Sequence, residues 1–316
     1  MKTMKEYLVS NSNKFFKNSY YYYSYGLSRS FISLSLIITL LFNDINILFR
    51  SVRLNETVPY CIENSLNIFC LLQDHLQVAK YLSIIILCIV ASGWRPQLTG
   101  ILHWWISYSF ITSTPIVDGG DHAASVITLL FIPITLFDNR KWHWQKPKLN
   151  KYKKSIYYIH KFISLSFFKL VKFQVAIIYL HAAVGKCNAT EWINGTAIYY
   201  WLTDPIFGMN EDLENIFIPI LLNPFWVAII TWGVIAFEFL LFTGFYLNRI
   251  EKHILLSSGI LFHVLIAVFH GLISFSLVMF GALIVFLLEV YQPIIIFKSC
   301  KRYNFQENQS TENILD

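Results

Sequence analysis

Apolar runs of about twenty residues recur along most of this chain, and that is the length an α-helix needs to cross the hydrocarbon of a bilayer. The runs lack period-two alternation and are about twice as long as the ~10 residues of a transmembrane β-strand, which excludes a barrel. With 55% hydrophobic and only 14% charged residues in 316, an ordinary soluble domain is excluded as well. The expected fold is all-α, a polytopic helical bundle of about eight spans. These are Arg29–Phe49, Val78–Gly93, Ile101–Val117, His122–Phe137, Ile163–Val184, Phe225–Leu247, Ile254–Leu272 and Phe275–Phe297. The third carries Ser107, Ser109, Thr112, Ser113 and Thr114. Because the fifth contains Lys169 and Lys172, it also fits an interfacial helix leading into a shorter span.

Charge placement orients the drawing. With both termini cytoplasmic, the inner segments collect most of the 25 lysines and arginines, Arg29, Arg95, Arg140 and the run to Lys154 among them. Only Arg50, Arg53, Lys80 and Lys186 fall outside, the asymmetry that the positive-inside rule requires. The net charge of +6 then reflects attraction to an anionic inner leaflet and not nucleic-acid binding. One integral domain is expected over residues 25–298, between cytoplasmic tails at 1–24 and 299–316, in the inner (cytoplasmic) membrane of a cell. Cys61 and Cys70 share the first outer loop, where they either form a disulfide or remain two thiols.

Ionisable residues within or beside the spans are the candidates for chemistry, because hydrocarbon makes them costly to keep there. Lys186 ends a long apolar run and is followed by Glu191 and Trp192. It is either a structural lysine, paired with Glu191 or capping a helix, or a base, since desolvation favours the neutral amine that can take a proton. His181, five residues earlier, is a candidate proton relay or a hydrogen-bonded bundle histidine. Glu238 lies inside a span and needs a partner that the sequence does not name; Glu289 lies nearer a cytoplasmic end. His263 and His270 share one helical face, but no zinc-type ligand pattern accompanies them, and no metal is expected. Asp118 and Asp121 flank two glycines outside, as a site for a cation or a peptide amide or as a cap on the next helix. Trp192 is read as a substrate contact or as part of an interfacial aromatic belt.

The string GKCNATEWINGTAIYYWL, Gly185–Leu202, resembles the signature of the HTTM superfamily, the transmembrane region shared with vitamin K-dependent gamma-carboxylases. Further strings resemble the SdpB family of bacterial antimicrobial-peptide systems. They are Tyr25-Gly-Leu-Ser-Arg29, Trp94-Arg-Pro with Gly100, His103-Trp-Trp105, the Thr112 to Asp121 stretch, and Asp138-x-Arg-x-Trp-His-Trp144. The resemblance implies a protein that supports maturation, by processing or modification, of a secreted peptide toxin, with an active face outside the membrane. The partners it implies are a small SdpA-like companion and an SdpC-like toxin precursor. It also implies Lys186 as a base and His263 as a residue lining the bundle interior. Cys187 stands where the superfamily carries an aliphatic residue, and the large lumenal domain of the carboxylases is missing.

An export component or transporter for the same peptide is the second class, and an immunity protein that sequesters the toxin a third. No GxxxxGK[ST], HExxH or GxSxG string is present, which argues against a nucleotide-driven pump, a zincin and a GxSxG-type serine hydrolase. The cofactor is left open, a quinol-like one included, and so is whether a bond is changed.

Overall fold

The computed structural model describes residues 21–50, 57–61, 66–145 and 154–288; the tails, Glu289 and the end of the last expected span lie outside the described residues. In chain order the helices are α1 (Tyr21–Phe42), α2 (Ile45–Leu48), α3 (Ile68–Leu71), α4 (Leu76–Ser92), α5 (Pro96–Ser113), α6 (Gly119–Leu136) and α7 (Lys154–Lys186). They continue with α8 (Thr190–Ile193), α9 (Ala197–Leu202), α10 (Glu211–Leu221), α11 (Pro224–Phe242), α12 (Arg249–His270) and α13 (Ile273–Leu287). Each expected span overlaps a helix, although the first, Arg29–Phe49, is interrupted after Phe42 before α2 begins. Six stretches, including Tyr23–Phe42, Phe162–Lys186 and Pro224–Phe245, are long and apolar enough to cross a bilayer, and α13 is a shorter apolar helix. The fifth span is not broken at its lysines: α7 runs unbroken through 33 residues, with the Lys172 ammonium 5.6 Å from the Phe168 ring centre.

Two kinds of apolar helix emerge, and packing separates them. In α13 the run Val278–Leu287 is buried almost without interruption except at Phe280, because α1, α6, α7 and α12 surround it. In α11 most apolar side chains, among them Phe225, Trp226, Ile229 and Trp232, face outward, where hydrocarbon would cover them. The main core joins α13 to Tyr25, Phe131, Phe168, Val175 and Tyr179, and a second core joins Leu40, Phe49, Phe69, Leu87 and Phe110. Small residues set the closest approaches. A Cβ on Gly281 would sit 2.9 Å from the Ser28 carbonyl of α1, and one on Gly100 would meet Thr135 Oγ1 of α6 at 2.1 Å.

Loop contacts place the helix ends. Tyr60 donates its N–H to the Ser113 carbonyl, Phe275 lies against Gly120, and His270 meets the Phe207 carbonyl, so the Cys61–Cys70 disulfide, Asp118 and the segment after Lys186 share one end. Trp94 bridges to Trp142 at the opposite end.

That opposite end, where the charge pattern gathers the inner-side cations, holds a buried ionic network. Arg29, counted from sequence among the inner-side cations, is 0% exposed and donates to Thr99 Oγ1 at 2.9 Å. Asp138 and Arg140 are buried too. The guanidinium holds the carboxylate through Nε–Oδ1 and Nη2–Oδ2 bonds of 2.7 Å, and the Tyr25 hydroxyl donates to the same carboxylate. Trp144 is exposed, its indole donating to the Ser92 carbonyl. His143 fills the space that Gly26 and Gly93 leave; Gly93 has φ of 85°, and a Cβ there would fall 2.4 Å from the imidazole.

Two outcomes follow for protein purified in detergent. Gly100→Ala should lower stability by about 1–3 kcal/mol by forcing α5 off α6. Thr135→Ala should restore part of it, because Thr135 supplies the colliding hydroxyl, and thermal unfolding of the two single variants and the double variant measures both effects. Burial, reinforced by the charges of Arg29 and Arg140, pushes the His143 imidazole from its ordinary 6.5 down to about 2. The unfolded chain takes a proton below pH 6.5 that the folded chain refuses, so the stability held above that pH is lost as pH falls, at about 1.4 kcal/mol per unit. The fall in melting temperature between pH 7 and pH 5 should therefore be smaller in His143→Asn than in the parent protein.

Candidate functional site

The chain does not leave the bundle after Lys186 but doubles back along α11. Helix α7 ends at Lys186, and α8 follows within a few residues. Gly195, with φ of 73°, then turns the chain where a Cβ would meet Ala228 and Trp232 at 3.2 Å. Two bonds fasten the returning segment to α11: the Trp232 indole donates to the Ile193 carbonyl, and Ile198 N–H donates to Thr231 Oγ1, each at 3.3 Å. Trp192 is thereby carried to the end of α7 and buried.

Lys186 and Glu238 meet there. The ammonium reaches both carboxylate oxygens, at 2.7 and 2.8 Å, and lies 5.2 Å from the centre of the Trp192 ring. Glu238 is 6% exposed, while the Lys186 side chain keeps 23% of its surface, so the pair is closed on the carboxylate side and reachable on the amine side. The geometry permits a proton to pass between ammonium and carboxylate and presents an amine to whatever approaches over Trp192.

A second polar pair continues the site inward. Tyr179 lies seven residues before Lys186, hence on the same face of α7, within electrostatic range of Glu238. Its hydroxyl is 2.9 Å from His263 Nε2 on α12. The His263 carbonyl accepts a bond from Ser276 Oγ at 2.7 Å, and the Phe262 and Phe275 rings flank the imidazole. His263 Nδ1 is buried without a hydrogen-bond partner among the described residues.

Of the residues singled out from sequence, Lys186, Glu238 and Trp192 form one contact group, and His263 bonds Tyr179, which shares the Lys186 face of α7. His181 stands apart, exposed on α7. Asp118 and Asp121 are occupied with each other's backbone: Asp118 Oδ1 accepts from Asp121 N–H at 2.9 Å, and Asp121 Oδ2 accepts from Asp118 N–H at 3.1 Å, a capping box that starts α6. Lys186 takes Glu238 and not Glu191 as its partner. Tyr179 escaped notice from sequence, although its seven-residue spacing from Lys186 was there to be read. Among the described residues no three His, Cys, Asp or Glu side chains group as a metal site would require.

Comparison with known proteins finds two relatives in Bacillus subtilis (strain 168). The uncharacterized protein YitO is 38% identical over 273 residues, covering 85% of this chain and 86% of that protein. Sporulation-delaying protein SdpB is 39% identical over 274 residues, covering 86% of this chain and 83% of its own length. No family model matches, and no solved structure matches.

The ion pair predicts a characteristic mutational cycle. Lys186→Met strands a buried carboxylate, and Glu238→Met strands an ammonium; each should cost about 1–3 kcal/mol, below the range for fully buried pairs because the lysine is partly exposed. The double variant, with neither charge, should recover most of the loss. Thermal unfolding of all four proteins decides it, and a double variant as weak as the two losses summed would show the pair to be uncoupled.

Proposed function

The chain belongs to the family of sporulation-delaying protein SdpB, and from that membership we propose that it supports the maturation of a secreted antimicrobial peptide, by processing or modification, at the extracytoplasmic face of the cytoplasmic membrane. The observation that carries the proposal is the Lys186–Glu238 pair beside Trp192, an ion pair held at one end of an apolar bundle and open on its amine side. Lys186 is assigned as the base, Glu238 as the group that sets its charge and position, and Tyr179 with His263 as the polar pair behind them. Two features favour an outward-facing site. The Cys61–Cys70 disulfide lies at the same end of the bundle, as suits an oxidising compartment, and Arg95, Arg140 and Lys141 lie at the other. An SdpA-like companion and an SdpC-like precursor are the proposed partners, and the superfamily relationship to the gamma-carboxylases is part of the same proposal.

Mass spectrometry of the secreted peptide tests it, using cells that carry the parent protein, Lys186→Met, the Lys186→Met/Glu238→Gln double variant or no protein, with membrane levels confirmed. Both variants should yield only the immature peptide, and the mass difference would name the reaction. Mature peptide in normal amounts from the variants, with none when the protein is missing, would make Lys186 structural and transfer the role to export.

A further inference from the structure

The segment that turns back along α11 builds a second feature on its outer side. Between α8, α9 and the loop that follows lies an open cleft of about 560 Å³, lined by Glu191, Asp204, Tyr200, Trp201 and Phe207 together with small polar side chains. Its charge is of one sign. Residues 187–223 contain five acidic residues and no lysine, arginine or histidine, in a chain of net charge +6. Among the described residues no ion pair neutralises the cleft, and Lys186, the nearest cation in sequence, is held by Glu238. Glu191 is exposed and takes part in no ion pair among the described residues. Asp204 is kept ionised: the N–H groups of Phe207 and Ile206 donate to its Oδ1 at 2.8 Å and hold its carboxyl below the ordinary value, and its Oδ2 receives neither of these bonds.

The aromatic part of the lining is built as firmly. His270, at the end of α12, bonds the Phe207 carbonyl through Nδ1 at 2.8 Å and meets the Trp201 ring edge-on, at 6.4 Å between centres. Tyr200, Trp201 and Phe207 are each half exposed despite their size. Aromatic faces combined with unpaired carboxylates recognise an organic cation, which gains from the ring quadrupoles and from the charges together. The volume admits one long side chain with its flanking backbone.

We propose that this cleft is the docking site for a basic residue, arginine or lysine, of the peptide whose maturation is inferred above; the inference rests on that reading and deepens it by naming what the protein recognises. Placement favours a peptide as occupant. Glu191 in the cleft and Trp192 beneath the Lys186 ammonium are consecutive residues of α8, so a chain anchored by a basic side chain in the cleft lies one short turn from the amine. The cleft thus supplies register, and the Lys186–Glu238 pair supplies the chemistry.

The test uses full-length protein in dodecyl maltoside, a detergent without charge, and fluorescence polarisation of the labelled peptide Gly-Leu-Arg-Leu-Gly against its citrulline counterpart, which keeps the shape and loses the charge. The arginine peptide should bind at least tenfold more tightly. That advantage should shrink to twofold or less in Glu191→Gln and in Trp201→Ala, both checked for an unchanged melting temperature, and should survive in the Lys186→Met/Glu238→Gln variant. Equal binding of the two peptides, or an undiminished advantage in Glu191→Gln, overturns the proposal. So does a result in which neither peptide binds while short-chain phosphatidylethanolamine does so in a Glu191-dependent way, for the cleft would then hold a lipid headgroup. Peptide discrimination together with normal maturation by the Lys186→Met/Glu238→Gln variant would defeat the chemical reading alone. Loss of maturation in that variant without peptide discrimination would defeat the docking reading alone.

Discussion

An ammonium and a carboxylate brought together at one end of an apolar bundle are the interaction on which that end of the molecule depends. Glu238 is buried and Lys186 partly so, which makes each costly without the other, and the two lie 52 residues apart, on α7 and α11. To join them the intervening chain must turn sharply at Gly195 and lie back along α11, and it is this return that buries Trp192 and opens the acidic cleft. The charge pair, the aromatic ring over it and the cleft outside it are three results of one folding-back.

The same rule operates at the opposite end with different residues. Tyr25, Arg29, Thr99, Asp138 and Arg140 come from α1, α5 and the loop after α6; Tyr25 and Arg140 bond Asp138, and Arg29 bonds Thr99, in a place that water does not reach. Glycine is required where these groups crowd, as at Gly93 and Gly26 against His143. A bundle with lipid-like surfaces gains little from apolar contact between helices. Polar pairing and close approach at small residues therefore carry the specificity of its packing.

How much of this could be read beforehand varied with the physics. The helical class and the approximate spans were legible because apolar runs of membrane length admit few other solutions, and Leu76–Ser92 and Arg249–His270 fall close to where the pattern placed them. That Lys186, Glu238 and His263 each need a partner was legible because ionisable groups are scarce in such runs. Their partners were not. Glu191, five residues from Lys186, was the obvious counter-ion on grounds of distance along the chain, yet it faces the cleft. Arg29 was placed among the inner-side cations by the charge pattern alone, and it is buried because Thr99 and the network around Asp138 come to it from elsewhere in the chain.

Sequence by itself determined that this chain is an all-α membrane protein, which of its residues are too costly to be in hydrocarbon without purpose, and, through its likeness to SdpB, its family. Tertiary structure alone decided which costly residue answers which: Lys186 with Glu238, Tyr179 with His263, Asp138 with Arg140. The reason is that hydrophobic periodicity is a local property, carried by neighbours three and four residues apart, whereas the pairing of charges depends on how whole helices cross, and nothing local to either partner records it.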